Sequence, residues 1–337
     1  MIAGGRGGND EQGKRSKMTR IGLALVLAVG CATGASAQSW PDKPIRMIVP
    51  LPAGAAVDVV GRLICTKLSE RLGQPIVVEN RPGASGTLAS DAVAKAAPDG
   101  YTLGMATSTT HVSAVLLNAK LPYDPVQDFV PLALIGVAPY VLTVYPNLPA
   151  KNLAELLTLA KTRPKPLSYS SVGNASLGHL ATELMASMAK VQLNHIPYRS
   201  TGQAVLDLAE GRIDITFGLL GTNLPLMREG KIRALAVSSA RRADAAPELP
   251  TMAEAGLPDF EASLWFAVVA PAALPPAIVE RLNGEINTIL GDAEVKKALA
   301  AQATQIELST PDKLRELIRA DITKWKGVAD SLGIKPE

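Results

Sequence analysis

Beyond residue 43, short apolar runs of strand length alternate with longer stretches whose apolar positions recur every three or four residues. The short runs predict strands at 44–50, 75–79, 101–106, 132–136, 140–145, 167–171, 194–198, 213–217, 232–238 and 265–270. The longer periodicity predicts helices at 58–72, 86–97, about 109–118, 152–162, 176–189, 201–210, 276–290, 293–301 and 311–331. Thr310 and Pro311 open the last of these as cap and first-turn residue. Such alternation predicts an α/β architecture. Turn residues punctuate it, as in Asn80-Arg81-Pro82-Gly83, Pro98-Asp99-Gly100 and Leu121-Pro122-Tyr123-Asp124-Pro125. No repeat or Pro/Ser-rich linker divides the chain, so two domains would have to be joined by ordered segments. YVLTVYP (140–146) and SLWFAVVAP (263–271) are the candidates for that crossing.

The N-terminal residues read differently. Lys17-Met18-Thr19-Arg20 is a positive flank, IGLALVLAVG (21–30) an apolar stretch, and Ala35-Ser36-Ala37 a small-residue cleavage site. That order predicts a secretory signal peptide over an N-terminal extension, residues 1–37 together, with cleavage after Ala37. The apolar stretch is too short to span a bilayer comfortably. Met1 and Met18 both remain open as the start. Cys31 as a lipidated first residue is the alternative, for which Ala28 is a poor neighbour. Removing the signal leaves Cys65 without a partner for an internal disulfide, and its i+4 spacing with Val60, Ile64 and Leu68 makes it a core thiol.

Composition sharpens the fold class. Hydrophobic residues make up 47 % of the 337, aromatics only 4 %, so the core is built from Ala, Leu, Val and Ile, which suits helices on a buried sheet. The formal charge is +3, but Arg6, Lys14, Arg15, Lys17 and Arg20 precede the mature chain, against Asp10 and Glu11. The body is formally neutral and carries no Lys/Arg stripe, which argues against nucleic acid as a partner.

Catalytic and metal motifs are missing. His111, His179 and His195 are far apart in sequence, with no HExxH and no Cys cluster, so neither a metal nor a cofactor is expected. There is no GxSxG elbow, and Gly83-Ala84-Ser85-Gly86 lacks phosphate-loop spacing. Asp214 at a strand entry reads as a turn or cap residue. What recurs is a small-residue loop running from a strand into a helix, at 51–57, 82–87, 106–110 and 171–177. Each places unpaired N–H groups at a helix N-terminus, which favours an anion. Simple capping explains any one loop; four together predict a small-anion cleft at the carboxyl ends of the strands. The candidate ligand contacts are Pro52, Ala53, Gly54, Ala55, Ala56 and Val57 in the first loop, then Ser85, then Thr107, Ser108 and Thr109, then Ser171, Gly173, Asn174 and Ser176. Asp58 reads as a loop organiser neutralised by Arg62 at i+4. Arg199 either faces a distal carboxylate or is simply solvated.

These residues resemble a known family. WPDKPIRMIVPLPAGAAVDVVGRL (40–63), VVENRPGASGTLASDAVAKAAPDGYTL (77–103), LPYDPVQDFVPLALIG (121–136) and NHIPYRSTGQAVLDLAEGRIDITF (194–217) are similar, in order, to the Bug-type receptors of tripartite tricarboxylate transporters. IRALAVSSARR and LPTMAEAGLPDFEASLWFAVVAP extend the likeness, which covers roughly residues 40 to 333. The resemblance implies a periplasmic-binding-protein-like (type II) Venus flytrap: two α/β lobes joined by crossing strands, lobe 1 at 40–139 plus 265–337 and lobe 2 at 140–264. It implies a periplasmic, monomeric receptor that captures a mono-, di- or tricarboxylate between the lobes and delivers it to membrane permease subunits. A loaded receptor that signals to a membrane histidine kinase is the alternative, and an α/β enzyme acting on a small organic acid a weaker one. Departures bear on the ligand. Leu51 and Gly54-Ala55 stand where the family usually has an aromatic and a Gly-Gly pair, and Ser85 and Ala89 replace usual glycines. Gly218 stands where a polar residue is common, so Gly218, Leu219 and Leu220 are expected to line an apolar pocket for the ligand's tail.

Overall fold

Strand-forming residues fall where the alternation places them, and their pairing divides the molecule at one strand. The computed structural model describes residues 1–4, 40–173, 176–198 and 201–334; the export signal with Cys31, and also Asn174 and Arg199, lie outside them. Everything below concerns residues 43–337, which form one unit, with residues 1–42 another. In chain order the strands are β1 (Ile45–Val49), β2 (Ile76–Asn80), β3 (Thr102–Thr107), β4 (Phe129–Val144), β5 (Leu167–Ser171), β6 (Leu193–Pro197), β7 (Ile215–Leu219), β8 (Arg233–Val237), β9 (Ser263–Pro271) and β10 (Gln305–Ile306). The helices are α1 (Ala56–Leu72), α2 (Thr87–Ala94), α3 (Ala114–Leu117), α4 (Leu153–Thr162), α5 (Leu177–Ala189), α6 (Thr201–Ala209), α7 (Leu220–Arg228), α8 (Pro276–Leu290), α9 (Ala293–Ala301) and α10 (Pro311–Ser331).

In the first half β1 pairs in parallel with β2 and β3, and β3 runs antiparallel to β9. In the second half β5 pairs in parallel with β6 and β7. β4 belongs to both. Its residues 129–139 pair with β9, whereas Tyr140–Val144 pair with β7 and β8. Two strands were expected here, at 132–136 and 140–145. The chain instead continues as one strand of 16 residues, because Pro139 falls where β4 changes partners and its missing N–H interrupts neither ladder.

Two further differences have local causes. The helix expected over 109–118 opens as a π-helical turn at Thr109–Ser113 before α3, a form that recurs at functional sites. α7 was not anticipated at all. It holds Gly221 and Pro225 within nine residues, both poor helix formers, but it buries Leu220 and Leu224 against Val141 and Val237. Cys65 is buried, and burial pushes its thiol up to about 12.

His111 occupies the core of the first half. Its ring lies 4.7 Å from Phe129, 6.3 Å from Tyr123 and 6.2 Å from Trp265, centroid to centroid. Burial pushes its pKa down from 6.5 to about 3. The unfolded chain therefore binds a proton that the folded one refuses, so the contribution to stability is complete above about pH 6.5 and is lost as pH falls toward 3. Urea unfolding of wild type and His111→Gln across pH 7 to 4 checks this. The wild type should lose stability faster on acidification, the difference approaching about 1.4 kcal/mol per pH unit.

Candidate functional site

Parallel strands deliver their carboxyl ends to one edge, and the registers bring the two sets of ends together. Thr107, last in β3, lies opposite Phe266, and Leu219, last in β7, lies opposite Tyr140. Pro139 lies opposite Ser263, so both ends meet beside the crossing of β4. A cavity of about 310 Å³ opens there. The first half lines it with Pro50, Leu51, Gly54, Ala55, Ala56, Val57, Ser85, Thr107, Thr109, Thr110, Leu264 and Phe266; the second half adds Thr201, Leu219 and Thr222. A smaller cavity of about 110 Å³ shares those last three and continues among Tyr140, Ser170, Ser171, Val172, Phe217 and Gly218. Among the described residues no charged side chain lines either cavity.

Asp58 shapes the first loop. It is the third residue of α1 and is buried, and its carboxylate accepts from the Gly54 amide at 2.9 Å, from Asn80 Nδ2 at 2.8 Å and from Arg62 Nε at 3.0 Å. Asn80 Nδ2 also donates to the Leu51 carbonyl, and Asn80 Oδ1 accepts from Arg62 Nη2 at 2.8 Å. Burial alone would raise the Asp58 carboxyl, but the hydrogen bonds from Arg62, Asn80 and Gly54, with the Arg62 charge, hold it below the ordinary value. The Gly54 amide is thus taken by Asp58 and does not face an anion, although Gly54 itself lines the cavity at φ 86. Among the described residues no acceptor reaches the amides of Ala56 and Val57, the first two of α1. These are the open donors.

The second loop reaches the cavity through backbone few residues adopt. Gly83, Ala84, Ser85 and Gly86 have φ of 135, 46, 55 and 91°. Ala84 and Ser85 carry side chains into left-handed backbone, where strain concentrates at functional sites. Gly86 is required by contact as well: a Cβ there would stand 2.7 Å from Thr110 and 2.9 Å from Pro50, side chains of the two neighbouring loops. In the third loop Thr107 and Thr110 cap one another, each hydroxyl accepting the other's amide, at 3.3 and 3.0 Å.

Several expected contacts lie elsewhere. Pro52 and Ala53 are exposed and face away from the cavity, whereas Ser108 is buried and its Oγ has no partner among the described residues. Ser176 caps α5, accepting from the His179 amide, and its hydroxyl donates to the Gly173 carbonyl; neither Ser176 nor Gly173 is among the described lining residues of these two cavities. Leu220 is a correction: it opens α7 fully buried in the core and does not line either cavity. Gly218 lines the smaller cavity but leaves no vacant space on its other side, because Asn223 Nδ2 would stand 2.6 Å from a Cβ there. Thr110, Thr201, Thr222, Leu264 and Phe266 were not anticipated. The Thr-x-x-Thr spacing at 107–110 signals the first, and the period-two pair 264/266 in β9 signals the last two.

The geometry agrees with what the chain is similar to. Residues 60–334 match the family model described as Tripartite tricarboxylate transporter family receptor. Protein BugT of Bordetella pertussis is 40 % identical over 94 % of this chain and 97 % of its own. Rpa4515 of R. palustris, solved with adipate, is 37 % identical, covers 88 % of this chain and 100 % of its own, and superposes with a TM-score of 0.79. MatC from Rhodopseudomonas palustris, solved with bound malate, is 33 % identical over 86 % of this chain and 99 % of its own, with a TM-score of 0.74.

Two substitutions separate folding from the cavity. Asp58→Ala leaves the Gly54 amide and Asn80 without their acceptor and should destabilise by about 2 kcal/mol in urea unfolding. Ser85→Gly removes a side chain from left-handed backbone and should stabilise by roughly 1 kcal/mol in the same measurement.

Proposed function

The chain belongs to the tripartite tricarboxylate transporter receptor family and is a solute-binding receptor for small carboxylates; from that premise we propose that its ligand carries one carboxylate and an apolar tail. One observation carries the reading. The cavity offers the open amides of Ala56 and Val57 at a helix N-terminus on one side. Around them the lining is apolar, Leu51, Leu264 and Phe266 from the same half and Leu219 from the other, with no cationic side chain among the described lining residues. A carboxylate set against the amides gains charge-assisted hydrogen bonds. A second one against that apolar wall would lose its hydration without a partner.

In this reading the lobes are 40–139 plus 265–337 and 140–264, and they close about the β4 crossing and the entry to β9, as in hinge closure. The receptor acts in the periplasm as a monomer after cleavage at Ala37. Its loaded form delivers the acid to membrane permease subunits; among the described residues no helix is long and apolar enough to cross a membrane itself. Capture, not turnover, is the role. No acid–base pair among the described residues faces the cavity, and micromolar binding needs only about −8 kcal/mol.

Hexanoate and adipate have the same chain length and differ in the distal carboxylate, so together they test the tail. Hexanoate should raise the melting temperature more than adipate, citrate or aspartate. At 100-fold over Kd the gain is about 2.7 kcal/mol, on the order of 5 °C. A shift with citrate or aspartate alone would overturn the apolar-tail reading. Mass spectrometry of acid carried through gentle purification is expected to find a monocarboxylate.

A further inference from the structure

The second half holds a polar cluster that the ligand reading does not use. Tyr169 and Ser171 share one face of β5, two residues apart, and His195 on β6 lies directly opposite Tyr169. α5 covers them with His179 and Glu183, one turn apart. His179 and His195 are stacked, centroids 4.2 Å apart and planes 15° apart, and Tyr169 lies nearly parallel at 4.9 Å from His195. Tyr169 Oη donates to Glu183 Oε1 at 2.5 Å, which fixes the tyrosine in its turn.

His195 Nε2 lies 2.6 Å from Ser171 Oγ. The Ser171 hydroxyl has one proton and donates it to the Gly173 carbonyl at 2.8 Å, while accepting from the Gly173 amide at 3.2 Å. With the Ser171 proton on the Gly173 carbonyl, the imidazole is assigned as the donor through Nε2–H. The Gly173 carbonyl also accepts from the hydroxyl of Ser176, the cap of α5. One imidazole thus stands at the head of a chain of hydrogen bonds running through Ser171 and Gly173 to the start of a helix, and Ser171 lines the smaller cavity.

We propose that His195 is a positioning residue for recognition: its Nε2–H orients the Ser171 hydroxyl and so fixes Ser171 and Val172, at the end of β5, as the wall of the smaller cavity against which the far end of the ligand is read. This rests on the cleft being the ligand site. The stacking with Tyr169 and His179 keeps the imidazole in plane, but the hydrogen bond does the positioning. Gln places an amide N–H where Nε2–H stands; Phe keeps the ring and loses the donor.

The test compares His195→Phe, His195→Gln and Ser171→Ala by amide hydrogen exchange in the ligand-free protein and by hexanoate affinity. His195→Phe should raise exchange at Gly173, Leu177 and Gly178 at least about tenfold and weaken hexanoate by a similar factor, and His195→Gln should stay within about threefold of wild type in both. The double variant His195→Phe/Ser171→Ala should be no worse than either single one, because the two act as one unit. Equal effects of Phe and Gln, or no effect of Phe on exchange, would overturn the proposal. If wild type binds none of the four acids, the apolar-tail reading fails, whereas the exchange contrast still decides whether His195 holds the turn.

Discussion

A single strand shared by two sheets is the constraint from which the site follows. β4 has one continuous backbone, so its pairing with β9 up to Pro139 and with β7 from Tyr140 ties both halves to one register. That register leaves no choice about where β3 and β7 end: beside the crossing, facing one another. Helix openings that would otherwise lie on separate surfaces share a hollow. The same continuity limits movement. In the closure proposed above, a change in the angle between the halves would be absorbed at Pro139–Tyr140, where β4 changes partners, and at the entry to β9.

A buried carboxylate beside an anion site needs a physical reconciliation, and the Asp58 network supplies it. Asp58 is neutralised by Arg62 and surrounded by donors from Asn80 and Gly54. Its charge is directed into the loop that it closes. By drawing the Gly54 amide back on itself the carboxylate bends the chain, leaving the next amides, of Ala56 and Val57, pointing outward along α1. The repulsion that an unpaired aspartate would exert is absent, and the helix N-terminus keeps its partial positive charge for a ligand. Loop geometry and recognition therefore depend on the same side chain without its touching the ligand.

The alternation of apolar runs made most elements legible, because each strand and helix carries its own period. It could not reveal α7, whose Gly221 and Pro225 argue locally against a helix and whose stability comes from burial against β4 and β8. Nor could it join 132–136 to 140–145, since the partner exchange at Pro139 is a tertiary fact. At the site, loops were readable as loops, but the direction of each donor was not. The Gly54 amide turns inward to Asp58, and Ser108 points into the core, while neighbouring Thr107 and Thr109 face the cavity. The histidines illustrate the same limit: His179 and His195 are distant in sequence yet ring on ring in the fold.

The two halves also differ in how their polar groups are used, and that difference orients a bound acid. On the second side the hydroxyls of Ser170, Ser171, Thr216 and Thr222 are already committed. Ser170 bonds Thr216 at 2.7 Å, Ser171 bonds His195 and Gly173, and Thr222 donates to the Leu219 carbonyl. Rearranging any of them to meet a charge would break an existing hydrogen bond in a partly buried place, at a cost comparable to the bond gained. On the first side the amides of Ala56 and Val57 need no rearrangement, because no acceptor among the described residues holds them. In the reading proposed above, a carboxylate therefore lowers its free energy most by entering the first half, and the second half discriminates by shape. On that reading the receptor reads charge with backbone and size with side chains, and substitutions at Leu219 or Thr201 would change the size it accepts while the anion site in the opposite half stays intact.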